Sequence, residues 1–310
     1  WLPILDLDAR LDLAAQLKPG DIVERHLKDG DWVIFNRQPS LWKASMMAFT
    51  IYRTNTLCFR LPLPVTKPFN ADFDGDEMNV HSLQGYEAIA EAQELLSVPN
   101  QILNPQSNSV IVGLVQDSLV GGYILSSKNT FLRPDQFQKL CMCRDYDPHG
   151  DCYALMGHKS WGTVMPKPAI LKSPKGPLYT GKQAISYLLP TVSFEKKVRT
   201  EDLWADDHVV VSSELLAGQL CKSTLGATNQ GLLQAIHRKY GSWATCKFIS
   251  DAQRLFVQYL SWAGPSISIL DCVTPRPKAI ITESLLKATN LLELDLPSEI
   301  IEAKSSSVLQ

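Results

Sequence analysis

Three aspartates spaced two residues apart give this sequence its clearest chemical signal. They are Asp72, Asp74 and Asp76, within the run Asn-Ala-Asp-Phe-Asp-Gly-Asp-Glu-Met-Asn. On a regular strand the three side chains would share one face, and their carboxylates would repel one another without a positive group among them. Gly75 allows the backbone to turn, so the carboxylates can instead converge on one point. Converging hard oxygen donors suit Mg²⁺, which also takes phosphate oxygens from a substrate and promotes phosphoryl transfer.

Two other interpretations of this acidic run compete with a magnesium site. For a generic Asp-x-Asp-x-Asp pattern, a solvated acidic turn is as common as a metal site. A calcium loop of the EF-hand type beginning at Asp72 would need glycine at its sixth position and glutamate at its twelfth. Those positions hold Glu77 and Leu83, so the sequence argues against an EF-hand.

The elements that must position the aspartates are short and separated by turns. Residues 1 to about 98 form a β-rich block, with strands predicted at Ile22–Leu27, Trp32–Phe35 and Thr56–Leu61. A short helical turn is predicted within Ser40–Ala48. Several short strands joined by turns favour a barrel or a compact sandwich.

Helical periodicity is clearest in later segments. Glu87–Leu96 is predicted as a helix that ends at Val98–Asn100, and Ser284–Leu294 as the beginning of another. Trp243–Trp262 is predicted as an amphipathic helix whose apolar face packs in a core. That face consists of Phe248, Ile249, Ala252, Leu255, Phe256, Tyr259 and Leu260.

Composition limits the classes of function. The 310 residues are enough for two or three domains, and the formal net charge of −2 is not that of a free-standing nucleic-acid binder. Nucleic acid would therefore require a local metal site or positive charge from elsewhere. No apolar run approaches the roughly 20 residues that span a bilayer, so no membrane partner is expected. The start, Trp1-Leu2-Pro3, has neither an initiator methionine nor a charged segment, which favours an internal piece of a longer protein.

The seven cysteines are odd in number and irregularly spaced, which favours free thiols in a reducing compartment over a disulfide scaffold. Cys141, Cys143, His149, Cys152 and His158 have the side chains of a zinc knuckle. However, the Cys-x-Cys spacing is tighter than usual for zinc, and the segment has the character of an insertion. Zinc is therefore not expected here, and free thiols are the default interpretation.

The run from Asn70 to Asn79 is similar, letter for letter, to the active-site signature of the largest subunit of multi-subunit DNA-directed RNA polymerases. The match is closer in style to eukaryotic and large-DNA-virus members than to bacterial ones. Further matches lie before and after this run and occur in the same order as in the family. They are at 35–41, 43, 45–47, 91–92, 98–99, 105–108, 113–119, 168–170, 181–183 and, more loosely, 218–231. The resemblance covers nearly the whole chain and is most specific up to about residue 120. One departure is Trp42, where several members carry histidine.

The resemblance implies a mixed α/β, multi-domain fold. Residues 1–98 would form a double-psi β-barrel active-site domain from which the aspartate loop projects. Residues 99–272 would form an α+β pore domain, and residues 273–310 would begin the funnel helices. The family's bridge helix and trigger loop come later in the largest subunit, so the chain alone is expected to be inactive.

The resemblance also implies template-directed ribonucleotidyl transfer during transcription by a two-magnesium mechanism. Asp72, Asp74 and Asp76 would be the catalytic residues that hold the tightly bound Mg²⁺. Two of them would also face a second Mg²⁺ that arrives with the nucleotide. The metals would clamp the attacking RNA 3′-hydroxyl and the leaving pyrophosphate.

Four further residues match positions that touch nucleotide or RNA in the family. Arg37 and Asn70 would contact the ribose hydroxyls of the incoming nucleotide, Pro39 would lie against its base, and Gln38 would lie near the RNA 3′ end. On residue type alone, Arg37 favours a surface salt bridge and Asn70 a turn-forming role. The resemblance reverses that preference for both residues.

The implied partners are the second-largest polymerase subunit, smaller subunits, the DNA template, the RNA transcript and ribonucleoside triphosphates. The implied location is the nucleus for a cellular protein, or a cytoplasmic factory, the nucleus or the virion for a viral one. The alternative is a non-catalytic scaffold segment of a polymerase-like assembly, although such copies would be expected to lose aspartates. A barrel polymerase that acts alone on RNA templates is a more distant alternative.

Overall fold

The computed structural model describes residues 6–143, 166–174, 176–198, 208–212, 214–266, 268–269, 282–287 and 289. These residues form a mixed α/β fold of small antiparallel sheets and helices. The chain divides into two units, Trp1–Ala263 and Gly264–Gln310, which are described separately. No helix in the described ranges combines the length and the apolar character that a membrane span requires.

The first sheet contains three antiparallel strands in the order β2-β1-β3. Their bounds are Trp32–Asn36 for β1, Met46–Thr50 for β2 and Asn79–Ser82 for β3. Val33 and Phe35 alternate into the core from β1, as expected for a half-buried strand. The strand predicted at Trp32–Phe35 is thus confirmed.

The other two strands predicted in this region are wrong. Residues 22–27 and 56–61 have no regular structure and are mostly exposed, with Ile22 81% and Leu57 fully accessible. Strand propensity alone does not hold an extended segment, which also needs a neighbouring strand for its backbone hydrogen bonds. The helical turn predicted within Ser40–Ala48 is confirmed only as a 3-10 turn at Lys43–Ser45, because the chain then extends to pair with β1.

Short helical segments accompany this sheet. Helix α1 spans Leu7–Gln16, and α2 spans Thr66–Phe69 after a 3-10 turn at Leu63–Val65. Helix α3 spans Tyr86–Glu91 and continues as π-helix over Ala92–Leu96, after which a 3-10 turn occupies Val98–Gln101. The helix predicted at Glu87–Leu96 and its end near Val98 are therefore confirmed.

The remaining elements of the first unit follow residue 116. The helices are α4 (Asp117–Leu125), α5 (Pro134–Cys141), α6 (Gly181–Ser186), α7 (Lys222–Leu225) and α8 (Leu232–Ala263). The strands are β4 (Phe131–Leu132), β5 (Tyr179–Thr180), β6 (Ser193–Lys197), β7 (His208–Ser212) and β8 (Leu215–Ala217). Antiparallel pairing joins β4 to β5 and joins the last three strands in the order β6-β7-β8.

Helix α8 carries much of the core. Its regular geometry breaks at Gly241, where φ is +83°, a conformation that glycine adopts without strain. The amphipathic helix predicted at Trp243–Trp262 is confirmed, and every residue of its predicted apolar face is buried. Helix α4 packs closely against it, because a Cβ atom at Gly121 would lie 2.5 Å from the Phe256 carbonyl oxygen.

In the second unit, residues 282–287 are helical, and Lys287 pairs with Glu283 one turn away at 2.8 Å. The helix predicted to begin at Ser284 is confirmed there, and positions 288 and 290–294 lie outside the described residues.

Candidate metal and nucleotide site

Strand pairing brings two loops together at one end of the first sheet. Asn36, the last residue of β1, lies opposite Asn79, the first residue of β3. Because the two strands are antiparallel, the loop that leaves β1 lies beside the loop that enters β3. The first loop begins with Arg37, and the second contains the three aspartates.

The three aspartates converge. One carboxylate oxygen from each of Asp72, Asp74 and Asp76 lies within 4.8 Å of the others. Gly75 has a φ of +126°, which turns the chain between the last two aspartates. The backbone N–H of Asp72 donates to Asp76 Oδ2 at 3.1 Å, so the loop closes on itself. The turn predicted at Gly75 and the resulting convergence are therefore seen directly.

Arg37 binds the last aspartate through two hydrogen bonds. Its Nε donates to Asp76 Oδ2 at 2.7 Å and its Nη2 donates to Asp76 Oδ1 at 3.2 Å. Each of the two side chains is 19% exposed, so the pair is mostly shielded from water. The salt bridge that residue type favours for Arg37 is therefore present, but it forms inside the candidate site.

The electrostatic environment differs across the aspartate cluster. The Asp74 carboxylate, at hydrogen-bonding distance, raises the pKa of Asp72, and burial and the charge of Asp76 act in the same direction. The Arg37 guanidinium and the Asp72 backbone N–H lower the pKa of Asp76. Arg37 therefore compensates the negative charge most strongly at Asp76 and less where Asp72 and Asp74 meet.

This arrangement fits a hard divalent cation. Neighbouring oxygens on one octahedral Mg²⁺ with bonds of about 2.1 Å are about 3.0 Å apart, so oxygens within 4.8 Å of one another would move closer by side-chain rotation when the ion binds. A cation among the carboxylates would also remove the repulsion that raises the pKa of Asp72. Asp72 and Asp74 are exposed, which leaves room for water or phosphate oxygens as further ligands.

Asn70 has a structural role and an unused side chain. It ends helix α2 in the left-handed conformation, with φ 49° and ψ 41°, which asparagine tolerates better than most residues. Its backbone N–H donates to the Lys67 carbonyl at 3.0 Å. In the described part of the chain its exposed side-chain amide makes no hydrogen bond, so the amide is available to a ligand.

Gln38 and Pro39 are exposed in the turn after Arg37, and the peptide bond between them is cis. The turn is tied internally, because Ser40 Oγ donates to Asn36 Oδ1 at 2.6 Å and the Leu41 N–H donates to the Pro39 carbonyl at 3.0 Å. All seven residues expected at the site thus lie in two adjoining loops: Arg37, Gln38, Pro39, Asn70, Asp72, Asp74 and Asp76.

Two contacts beside the site could not be predicted from the sequence. The Trp42 indole Nε1 donates to the Pro68 carbonyl at 2.9 Å, and Lys67 Nζ donates to the Ala227 carbonyl at 2.9 Å. Both are side-chain bonds to the backbone across 26 and 160 residues, and no local pattern encodes them.

The cysteine cluster is described only in part. Cys141 and Cys143 are free thiols near the end of α5, and burial raises the pKa of Cys141 to about 12. His149, Cys152 and His158 lie outside the described residues.

Comparisons with known proteins cover almost all of this chain. Residues 4–98 match the family described as RNA polymerase Rpb1, domain 2, and residues 101–272 match RNA polymerase Rpb1, domain 3. Two similar proteins are the DNA-directed RNA polymerase II subunits RPB1-A and RPB1-B of Trypanosoma brucei brucei. Each is 38% identical to this chain over 260 residues, which is 83% of the chain and 14% of the relative. The chain thus spans about one seventh of the length of these relatives.

Proposed function

Because this chain belongs to the Rpb1 family of RNA polymerase largest subunits, we propose that it carries the catalytic metal site of a DNA-directed RNA polymerase. The observation that supports this most directly is the convergence of Asp72, Asp74 and Asp76 beside Arg37. The reaction would be template-directed ribonucleotidyl transfer, performed only within a multi-subunit complex.

In this proposal the three aspartates hold magnesium. Bound Mg²⁺, with a second ion that accompanies the nucleotide, would align the RNA 3′-hydroxyl with the α-phosphate and neutralise charge on the leaving pyrophosphate. The aspartates supply the hard oxygen ligands that such an ion prefers. Arg37 shields the Asp76 carboxylate from its neighbours and fixes its orientation through the two hydrogen bonds.

The two loops would also bind the substrates. Arg37 and Asn70 would donate hydrogen bonds to the ribose hydroxyls, which is the contact that distinguishes a ribonucleotide from a deoxyribonucleotide. Pro39 would lie against the base of the incoming nucleotide, and Gln38 would lie near the RNA 3′ end. All four residues lie in the chain that leaves β1 or leads to β3, at the end of the sheet where Asn36 pairs with Asn79.

We also propose the finer architecture that the family implies. Residues 1–98 would form a double-psi β-barrel domain, residues 99–272 a pore domain, and residues 273–310 the start of the funnel helices. The proposed partners are the second-largest subunit, smaller subunits, template DNA, transcript RNA and ribonucleoside triphosphates. The proposed location is the nucleus, by analogy with the RNA polymerase II relatives.

The test compares two aspartate variants of the complex that contains this chain. Primer extension on a DNA template is measured for wild type, Asp74→Ala and the matched control Asp135→Ala, which removes an exposed carboxylate from α5. Loss of a metal ligand should lower the rate by about 10³-fold or more, whereas the control should retain its rate. Binding of Mn²⁺, followed by electron paramagnetic resonance as a substitute for Mg²⁺, should weaken only in Asp74→Ala.

Assembly of each variant is checked by gel filtration before its rate is compared. If Asp74→Ala assembles and extends RNA at the wild-type rate, the metal site lies elsewhere. The chain would then be a scaffold that retains the aspartate signature.

A further inference from the structure

The hydrogen bond from Trp42 to Pro68 links the two loops that form the candidate nucleotide site. The indole Nε1 lies 2.9 Å from the Pro68 carbonyl oxygen. Pro68 is buried, and Trp42 is 39% exposed with its ring at the edge of the loop. The bond therefore joins the exposed loop after β1 to a fixed point on helix α2.

Trp42 moves together with the Arg37 side of the site. The Arg37 N–H donates to the Ser45 carbonyl at 3.3 Å, and the Ser45 N–H donates to the Trp42 carbonyl at 3.1 Å. The Leu41 N–H donates back to the Pro39 carbonyl within the same turn. These bonds make the segment from Arg37 to Ser45 one closed loop, so displacement of Trp42 displaces Arg37 and Pro39.

Pro68 moves together with the Asn70 side. Asn70 is two residues later, and its N–H is bound to the Lys67 carbonyl at 3.0 Å. The Ala71 N–H donates to the Thr66 carbonyl at 3.0 Å, which closes the same short helical turn. The position of Pro68 therefore sets the position of the Asn70 amide.

Selection of a ribose would require the proposed contacts of Arg37 and Asn70 at the same time. A 2′-hydroxyl and a 3′-hydroxyl are adjacent on one ring, and hydrogen bonds to them weaken when a donor moves by more than a few tenths of an ångström. A second polar link, from Arg37 to Asp76, reaches the Asn70 side through the Asp72 N–H, which donates to the same carboxylate of a proposed metal ligand. The Trp42–Pro68 bond joins the two sides through the turn before Asn70 and involves no proposed metal ligand.

We propose that Trp42 is a positioning residue for ribose selection, whose indole holds the Arg37–Pro39 side of the nucleotide site at a fixed distance from Asn70. This inference rests on the proposed polymerase function. Trp42 itself would touch no substrate. Its loss should allow the two sides to separate, which weakens the contacts that only a ribonucleotide makes.

The test measures sugar discrimination in the complex that contains this chain. The ratio of kcat/KM for UTP to kcat/KM for 2′-deoxy-UTP is determined for wild type and for Trp42→Phe, which keeps an aromatic ring and removes the N–H. Trp243→Phe is the matched control, because Trp243 is 71% exposed on α8 and outside the site. We expect the ratio to fall by about 3- to 10-fold in Trp42→Phe, the effect of one hydrogen bond, and to stay constant in the control.

A second variant, Trp42→His, retains a ring N–H and should recover part of the lost ratio. The proposal is overturned if Trp42→Phe lowers the rates with both nucleotides by the same factor or changes neither. It is also overturned if histidine and phenylalanine reduce the ratio equally. Failure of the polymerase assignment would appear separately, as an unchanged rate in Asp74→Ala.

Discussion

A single added methyl group at Gly113 should loosen the attachment of helix α2 and residues 113–114 to the backbone at 225–227. Gly113 is buried, and a Cβ atom there would lie 2.6 Å from the Ala227 nitrogen and 2.7 Å from the Gly226 carbonyl carbon. Ordinary contact begins at 3.4 Å, and all three nearest atoms belong to the backbone. No side chain can rotate away, so Gly113→Ala must displace the 226–227 backbone by most of an ångström.

That displacement would strain two hydrogen bonds. The Leu114 N–H donates to the Leu225 carbonyl at 3.1 Å, and Lys67 Nζ donates to the Ala227 carbonyl at 2.9 Å. Overpacking of a buried site costs about 1–3 kcal/mol, and a weakened backbone hydrogen bond adds about 1 kcal/mol. The expected loss of unfolding free energy is therefore about 2–4 kcal/mol, which for a chain of this length corresponds to a melting temperature lower by about 3–7 °C.

Circular dichroism of the 310-residue chain provides the assay, with Gly85→Ala as the control. Gly85 has a φ of −108° and no atom within 4 Å of its added Cβ, so that variant should lose about 1 kcal/mol or less. If Gly113→Ala melts at the same temperature as Gly85→Ala, the backbones do not approach as closely as the structure shows.

Two further predictions concern titratable side chains of helix α8. Burial raises the pKa of the Cys246 thiol to about 12, so at pH 8 iodoacetamide should modify exposed Cys58 well before Cys246. Peptide mass spectrometry after timed labelling checks this order, and equal rates would contradict it. Burial also lowers the pKa of His237, so the unfolded state binds its proton more readily than the folded state does. Stability should therefore fall as the pH drops below the ordinary histidine value of about 6.5, and His237→Gln should reduce that dependence in melting curves at pH 7.5 and 5.5. An identical pH dependence in His237→Gln would contradict the prediction.

Elements with a strong internal period could be predicted from the sequence. The apolar face of α8 repeats with the helical period from Phe248 to Leu260, and all seven of its residues are buried. Short strands behave differently. Met46–Thr50 is an apolar run that suits a helix or a strand, and only its pairing with Trp32–Asn36 decides between them. Ile22–Leu27 has strand composition but no partner strand among the described residues, and so it stays irregular.

The candidate site shows the same division between local and distant information. Convergence of the aspartates could be predicted because their spacing and the turn at Gly75 lie within five residues. The contact between Arg37 and Asp76 spans 39 residues and arises from the pairing of Asn36 with Asn79. The residue type of Arg37 favours a surface salt bridge and the family resemblance favours a ribose contact, and neither identifies an aspartate of the cluster as its partner.

These two roles of Arg37 are compatible within one side chain. A guanidinium carries five N–H donors, and the Asp76 carboxylate uses two of them, from Nε and Nη2. Three donors remain, two of them on Nη1, which has no bond to Asp76. Because the guanidinium is planar and rigid, the bond to Asp76 fixes the direction of the remaining donors. In the proposed function, the contact that keeps Asp76 ionised would therefore also aim Arg37 at the ribose, so that the metal site and the sugar site depend on one another's geometry.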